Sequence, residues 1–392
     1  TDENGNITSY EYDIYGNKIK ETLPNKVVNK YVYDGNNNLI KEVFNNEKES
    51  TYEYDKRNNL IIKTVNDINY TYVYNDKNEL TSEKDERNNT TTYTYDYLGN
   101  IIKKSYPDSL SEEYEYDILG NLVKKIDKYG NSITYEYDNE NNIKTENKSN
   151  NTKITYEYDK NNNLITLNTI NNQGNKTLRY KYNKVNKVVE ETDAMGNAVI
   201  YEYDGSHLIK ETDKEGNNTF FTYDSKGNII KKSYDNGGYR LYEYDKRNNL
   251  IKETDTNKNE TKYIYDEVYN IIQKISPDKY PTTYVYDSYK NKIKEISPLN
   301  VVTEYEYDLN NNLVLKKING RVNEEYKYDK YSNLLSQKIN NLETTYEYDS
   351  FDNLIKTISP KKVETTYSLD KYHRIIKEEV NGTIINEYKY DN

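Results

Sequence analysis

The 392 residues carry 55 Lys and Arg against 66 Asp and Glu, a formal net charge of −11, with no cysteine and 48 tyrosines. The acidic balance disfavours nucleic acid and anionic membrane surfaces, both of which need a basic excess. Disulfide and thiolate chemistry are excluded, and no run of ~18 apolar residues is available to span a bilayer.

The chain opens on a turn, DENGN at 2–6, and then on SYEYD at 9–13. Tyr10 and Tyr12 flank a glutamate. That period-two alternation, built from a residue suited to strands, predicts a β-strand. Asp13 follows, then two free residues, then Gly16. Asp at the head of a type I turn, with a residue tolerant of left-handed backbone three places on, predicts a turn-plus-bulge hairpin loop. The same order begins again at Tyr31, Tyr52, Tyr72, Tyr93, Tyr114, Tyr135, Tyr156, Tyr180, Tyr201, Phe221, Tyr242, Tyr263, Tyr284, Tyr305, Tyr326, Tyr346, Tyr367 and Tyr388. Of the eighteen spacings between these nineteen starts, fourteen are 21 residues, three are 20 and one is 24. A register held that long marks a repeat architecture.

Within a unit, counted from the first aromatic, positions one and three are aromatic except at Leu369, and position four is Asp except at Asn75 and Asn183. Position seven is Gly or Asn in twelve of eighteen units, the two residues most at ease at positive φ. Positions nine and ten are mostly aliphatic, as in Leu60-Ile61, Leu122-Val123, Leu250-Ile251 and Leu313-Val314, and open a return strand. A second turn follows, either Asp-led (DKYGN at 127–131, DAMGN at 193–197, DKEGN at 213–217) or with Pro24, Pro107, Pro277, Pro298 or Pro360 as its second residue. Proline suits that place because φ is already near −65°. Both turns therefore read as the same chemistry.

A turn every ten residues leaves no room for a 3.6-residue stripe, which excludes helix. Fixed aromatic and aliphatic positions argue against disorder. The expectation is an all-β chain of about 38 strands: tandem antiparallel hairpins of about 21 residues forming one continuous sheet. At ~4.8 Å per strand such a ribbon runs roughly 180 Å. Because sheets twist, it is expected to coil and to put one face inside.

The unit Tyr-x-Tyr-Asp-x-x-Gly-Asn-Leu resembles the tyrosine-aspartate (YD) repeat of the Rhs family, which includes polymorphic bacterial toxins, wall-associated proteins, the B and C components of insecticidal Tc toxins, and teneurins. YEYDILGNLVKK at 114–125 and FTYDSKGNIIKK at 221–232 carry it most closely, and the likeness covers essentially the whole chain. It implies a hollow β-shell, which in the toxins encloses a variable C-terminal toxic domain. The chain departs from the complete family pattern in having no Asp-Pro dipeptide, the family's motif for the self-cleaving segment after the repeats. Residues 1–392 are therefore expected to be one YD-repeat array of 18–19 units, a slice of a longer shell with no separate catalytic domain.

Chemistry-bearing motifs do not compete with this reading. His207 and His373 both fall at position seven, although the Tyr201 unit is one residue short, and read as turn residues. The Asp-x-x-Gly-Asn loops seldom gather the several carboxylates a calcium loop needs, so their aspartates read as turn formers, with weak calcium binding left open at a few. No phosphate-binding loop, nucleophile elbow or zinc-protease motif occurs, so neither enzyme activity nor a cofactor or metal is expected. The tyrosines read first as aromatic ladders stacked between neighbouring hairpins. The alternative is a surface that binds cell-surface glycans or a partner protein.

The structural positions singled out are Tyr10, Tyr12, Asp13 and Gly16; Tyr114, Tyr116, Asp117, Gly120 and Leu122; Tyr242, Tyr244, Asp245 and Leu250; and Tyr305, Tyr307, Asp308 and Leu313. The partners expected are an enclosed polypeptide cargo and neighbouring repeats, in a secreted or bacterial cell-surface protein.

Overall fold

A computed structural model describes residues 1–390. It holds 37 strands, one fewer than expected, all in one antiparallel sheet. Strands consecutive in sequence pair with each other, so the chain is a meander. The first strand, Ser9–Tyr12, pairs with Lys18–Thr22, and the last, Thr383–Glu387, with Ile375–Val380. The two end strands are not partners of each other among the described residues, so the sheet is open.

Each long-strand hairpin carries a bulge at the same place, just before the third residue of the unit. Tyr114 faces Lys125 and Glu115 faces Lys124, but Tyr116 faces Leu122. The loop that follows is closed by two main-chain bonds. The Gly120 N–H donates to the Asp117 carbonyl at 3.1 Å, and the Asp117 N–H to the Asn121 carbonyl at 2.9 Å. Gly120 has φ 85° and, in the equivalent place, Asn248 has φ 66°. This is the expected turn and bulge, repeated along the chain.

The second turns, apart from the one at Asn171–Gly174, are of two kinds, which corrects the expectation of a single chemistry. Asp127–Asn131 and the proline loops repeat the bulged form; Lys26 and Ser109, two places after Pro24 and Pro107, have φ 69° and 67°. Asn45-Asn46, Asn66-Asp67, Asn319-Gly320, Asn340-Asn341 and Asn381-Gly382 instead have both residues at positive φ, which makes two-residue hairpin turns.

The same physics corrects His207. With one residue fewer in the loop, Asp204–His207 closes around Gly205 (φ 55°), and His207 becomes the first residue of the strand His207–Thr212. His373 does sit at the predicted left-handed position, φ 61°.

The sheet is a single layer. Among the described residues Val27 is the one buried apolar side chain, 5% exposed, and the buried polar ones are Asn29, Thr145 and Ser336. The chain exposes 24667 Å², where a compact globule of 46.6 kDa would expose roughly 16,000 Å². The strands are thus held by main-chain bonds and cross-strand side-chain pairs. Two compact units are distinguished. The first is Thr1–Thr92 with Tyr106–Asp108 and Lys262–Asn392, of which the last two residues lie outside the described range. The second is Tyr93–Ser105 with Ser109–Thr261.

Candidate functional site

With no core to build on, the candidate surfaces are the tyrosine face of the sheet and the loops along its two sides. Strands such as Thr90–Tyr95 alternate half-buried and exposed, with both tyrosines on the half-buried side and position two outward. The outward face carries ion pairs between position two and the return strand, as in Lys124 to Glu115 at 2.6 Å and Lys252 to Glu243 at 2.6 Å. Exposed pairs of this kind contribute little each.

The position-three tyrosines make the contact that explains their recurrence. Tyr137 donates its hydroxyl to the Leu122 carbonyl at 2.8 Å, Tyr223 to Leu208 at 2.8 Å, Tyr244 to Ile229 at 3.0 Å and Tyr307 to Lys292 at 3.1 Å. In each case the acceptor is the residue fifteen places back, just after the loop of the previous hairpin. Where the spacing is 24 rather than 21, Tyr182 reaches eighteen places back to Leu164, at 2.8 Å, and keeps the same carbonyl. The hydroxyl therefore staples one hairpin to the next. Phenylalanine has the ring but cannot make this bond, which is why tyrosine is the repeated letter.

Position one uses its hydroxyl differently. Tyr52 donates to Glu42 at 2.6 Å, Tyr156 to Glu146 at 2.8 Å and Tyr114 to Glu112 at 2.6 Å. A lysine across the strand also covers some of these rings, as Lys125 does over Tyr114 at 5.6 Å and Lys274 over Tyr263 at 6.0 Å. Burial pushes the Tyr52, Tyr156 and Tyr326 hydroxyls up from 10.0. With the nearby Glu42 carboxylate added, Tyr52 reaches about 12, and Tyr326 beside Glu324 does the same. The expected ring-on-ring ladder is replaced by hydroxyl staples and ammonium caps as the recurring contacts.

The named residues fall into these roles. Asp13, Asp117, Asp245 and Asp308 each accept the N–H groups two and four residues on and the Asn side chain four residues on. Those bonds, with the Asn amide largest at Asp13, hold the Asp13 carboxyl below its usual range; at Asp117 the backbone bond from Asn121 leads. The loop's own donors thus occupy these aspartates. Gly16 and Gly120 supply positive φ. The Leu122 carbonyl receives a staple; Leu250 and Leu313 hold the same place in the Tyr242 and Tyr305 units. Tyr116, Tyr242, Tyr244 and Tyr307 are half-buried, and burial raises each. Tyr305 carries Lys292 over its ring at 5.1 Å. Tyr10 and Tyr12 are exposed, because no strand precedes theirs among the described residues.

Sequence reasoning missed a seam inside the first unit. Second-turn loops of residues 2–108 lie against first-turn loops of residues 266–374, bonding across sequence separations of 242 to 267 residues. Tyr269 donates to Asp2 and accepts from Asn6 at 3.1 Å; its hydroxyl is the leading cause that holds the Asp2 carboxyl down to about 2. Phe44 packs on Tyr289 at 5.0 Å, Lys48 lies 4.1 Å over the same ring, and the Tyr289 hydroxyl donates to Glu47 at 2.8 Å. Arg87 stacks on Tyr331 at 3.9 Å and pairs with Asp329 at 3.4 Å and with Asp352. His373 Nε2 meets Asp108 at 3.0 Å while Asn353 donates to its Nδ1 at 2.7 Å. Between the Asn66 and Arg87 contacts the seam opens into a polar cleft that includes Asn69, Glu86, Asp308 and Tyr328.

A signal for this seam was present. Tyr269, Lys290, Ser332, Asp352 and His373 break the Gly/Asn rule at position seven yet all keep φ between 61° and 71°. Side chains accept that backbone at a cost, so their presence there marks a gain elsewhere. Lys290 uses its ammonium within its own row, donating to the Val268 carbonyl at 3.4 Å.

Comparison with known proteins agrees with this architecture. The sequence profile of the teneurin YD-shell matches residues 13–154 and 129–276. No curated protein matches the sequence. Among solved structures, the crystal structure of TcdB2-TccC3-Cdc42 superposes with TM-score 0.59 at 14% identity over 97% of this chain and 24% of its own. TcdB2-TccC3 without its hypervariable C-terminal region gives 0.60 at 14%, over 97% and 23%. The Tc holotoxin pore of Photorhabdus luminescens gives 0.55 at 13%, over 96% and 27%. At such identity the likeness is one of fold, and the chain spans about a quarter of these proteins' length. More than half of the sequence matches the family profile: the chain belongs to the teneurin YD-shell family.

Proposed function

We propose that this chain is a stretch of shell wall whose task is containment of a polypeptide, with no bond made or broken by its residues. The observation that carries the reading is the single stapled layer. A sheet of 37 strands with one buried apolar side chain among the described residues has organised its tyrosines to join hairpin to hairpin. Such a surface separates two volumes and holds no interior of its own. The likeness in fold to structures of Tc toxin components supports a parent protein of the same kind, secreted or displayed by a bacterium, with a toxic or labile segment as cargo.

Glycan adhesion through the tyrosines is the weaker reading. Position-three hydroxyls are committed to main-chain carbonyls, and the rings lie half-buried in the face, where a sugar platform needs them open.

The test is protease protection. A disordered, protease-sensitive passenger is placed after the repeats of the parent protein and digested beside the free passenger. Containment predicts survival of the enclosed passenger until the shell itself is unfolded by urea. Digestion at the rate of the free passenger overturns the proposal.

A further inference from the structure

A second, smaller cleft, of about 240 Å³, opens on the tyrosine face of the first unit. Asn29 pairs with Phe44, Tyr31 with Glu42, Glu42 with Ser50 and Ser50 with Val65, which puts these side chains on one face of four successive strands. Strands Lys18–Thr22 and Ile68–Tyr74 flank the four, so hairpins of the chain itself wall the cleft on both sides. Toward the loops, Phe44 packs on Tyr289 at 5.0 Å.

Asn29 is 7% exposed, and among the described residues no group donates to its buried Oδ1. Turning the amide over does not mend this. Its Nδ2 donates to Glu21 Oε2 at 3.3 Å, and a carboxylate only accepts. The nitrogen must therefore face Glu21 on the preceding strand, and the oxygen the other way, toward Phe44 and the cleft. A buried acceptor of this kind calls for a donor.

The second acceptor is the Glu42 carboxylate. It takes the Tyr52 hydroxyl on Oε1 at 2.6 Å and forms no ion pair among the described residues. The nearby ammonium groups are engaged elsewhere. Lys18 lies over the Tyr31 ring at 4.7 Å and pairs with Glu21 at 3.6 Å; Lys48 lies over Tyr289 at 4.1 Å and donates to Asn311 at 3.0 Å. Asn29 and Glu42 are diagonal neighbours across the strands, roughly 7–8 Å apart at the backbone, close enough for one nitrogen to bridge their tips.

A single water, about 30 Å³, would satisfy the Asn29 oxygen but leave the charge unmatched and most of the space unfilled. A calcium ion takes about six or more oxygens, and no group of three acidic or histidine side chains among the described residues is placed to supply them. An ammonium has three donors and no acceptor, which suits an amide oxygen and a carboxylate together. A short alkyl chain behind it suits Phe44 and Val65.

We propose that this cleft binds a primary alkylammonium, its nitrogen between Asn29 Oδ1 and Glu42 and its methylenes against Phe44 and Val65. The same chemistry is carried by a lysine side chain of a polypeptide and by a free small amine.

Saturation-transfer NMR on the whole chain, titrated with n-butylammonium chloride, tests this. Wild type is expected to bind in the millimolar range, and 1-butanol, similar in shape but uncharged, about tenfold more weakly. Asn29→Leu and Glu42→Gln are each expected to weaken butylammonium about tenfold; the second still accepts the Tyr52 hydroxyl. Circular dichroism matching wild type establishes that a variant is folded, and either folded variant decides. Lysine blocked at both ends separates the two sources. Binding equal to butylammonium upholds the site as one for a polypeptide's lysine; binding of butylammonium alone upholds it as one for a free amine. Three results would overturn the proposal. One is no binding up to tens of millimolar, which leaves the cleft to water. Another is butanol binding as well as butylammonium. The third is folded variants that bind as wild type does, the mark of an adventitious cation on an acidic surface.

Discussion

First-turn loops before residue 262, the short Asp204–His207 loop aside, and those after it share one backbone and differ in their side chains. Asp117–Asn121 and Asp266–Asn270 close with the same main-chain bonds, and Gly120 and Tyr269 occupy the same left-handed place, at φ 85° and 68°. In the earlier loops the residue there suits the turn. In the later ones Tyr269, Asp352 and His373 suit a neighbour across the seam, and the turn bears the strain. Local propensity thus governs where nothing else touches, and yields where a second row of loops supplies contacts. The strands do not differ in this way, since the tyrosine staple recurs before and after residue 262.

The largest expected effect should erase the comparison. Burial raises many tyrosines together, and Tyr52, Tyr289 and Tyr326 reach about 12 against an ordinary 10.0. A group whose folded pKa is raised contributes stability in full below its unfolded pKa and loses it as pH climbs through the folded one. The bonds of Tyr52, Tyr289 and Tyr326 should therefore fail between pH 10 and about 12, and the staples of the raised tyrosines Tyr137, Tyr223, Tyr244 and Tyr307 should fail above pH 10 as well. Tyrosinate absorbance at alkaline pH is expected to rise steeply and in step with loss of β-sheet circular dichroism. A gradual titration with the sheet intact would show that the hydroxyls are not holding the hairpins.

Arg87→Ala should strike one region alone. The Arg87 side chain is 15% exposed, its guanidinium set between Asp329, Asp352 and the Tyr331 ring. Asp352 is 44% exposed, which weakens the pair. Removing the cation is expected to cost about 2 kcal/mol, below the range for fully buried pairs. Hydrogen exchange should quicken in the loops around Tyr331 and Asp352 and stay unchanged around Asp117. An equal effect in both places would mean that the seam is not a separate interaction.

The staple should behave alike on both sides. Tyr137→Phe and Tyr307→Phe each remove one hydroxyl from a main-chain carbonyl, at 2.8 and 3.1 Å, and leave the ring. Each is expected to cost about 1 kcal/mol, read from the urea midpoint. A cost at Tyr137 with none at Tyr307 would show that later hairpins rely on the seam instead.

These contrasts also show what the sequence could convey. Tyr-x-Tyr-Asp every 21 residues announces strands and loops because both are local, and Asp117 with Gly120 specifies its turn without help from distant residues. Even His207 departs from expectation for a local reason, as one residue fewer converts a bulged loop into a two-residue turn. The tyrosine face was legible and its chemistry was not. Alternation places Tyr137 on a face, but the carbonyl it meets belongs to Leu122 in another hairpin. The seam was the least legible, since no spacing within a unit states that Arg87 will meet Asp329.

The smallest effects sharpen the contrast most, because they oppose one another at a single position. A Cβ on residue 120 would meet nothing within 4 Å, so Gly120→Lys bears only the backbone cost of φ 85°, about 1 kcal/mol. Lys290→Gly runs the reverse way. It relieves the same strain, gives up one long bond to Val268, and loosens the unfolded chain, for a net gain of about 0.5 kcal/mol or less. Tyr269→Gly relieves that strain as well, yet the urea midpoint is expected to fall, because Asp2 and Asn6 lose their partner. Were Tyr269→Gly to stabilise as Lys290→Gly does, the seam would not be what keeps tyrosine in a glycine's place.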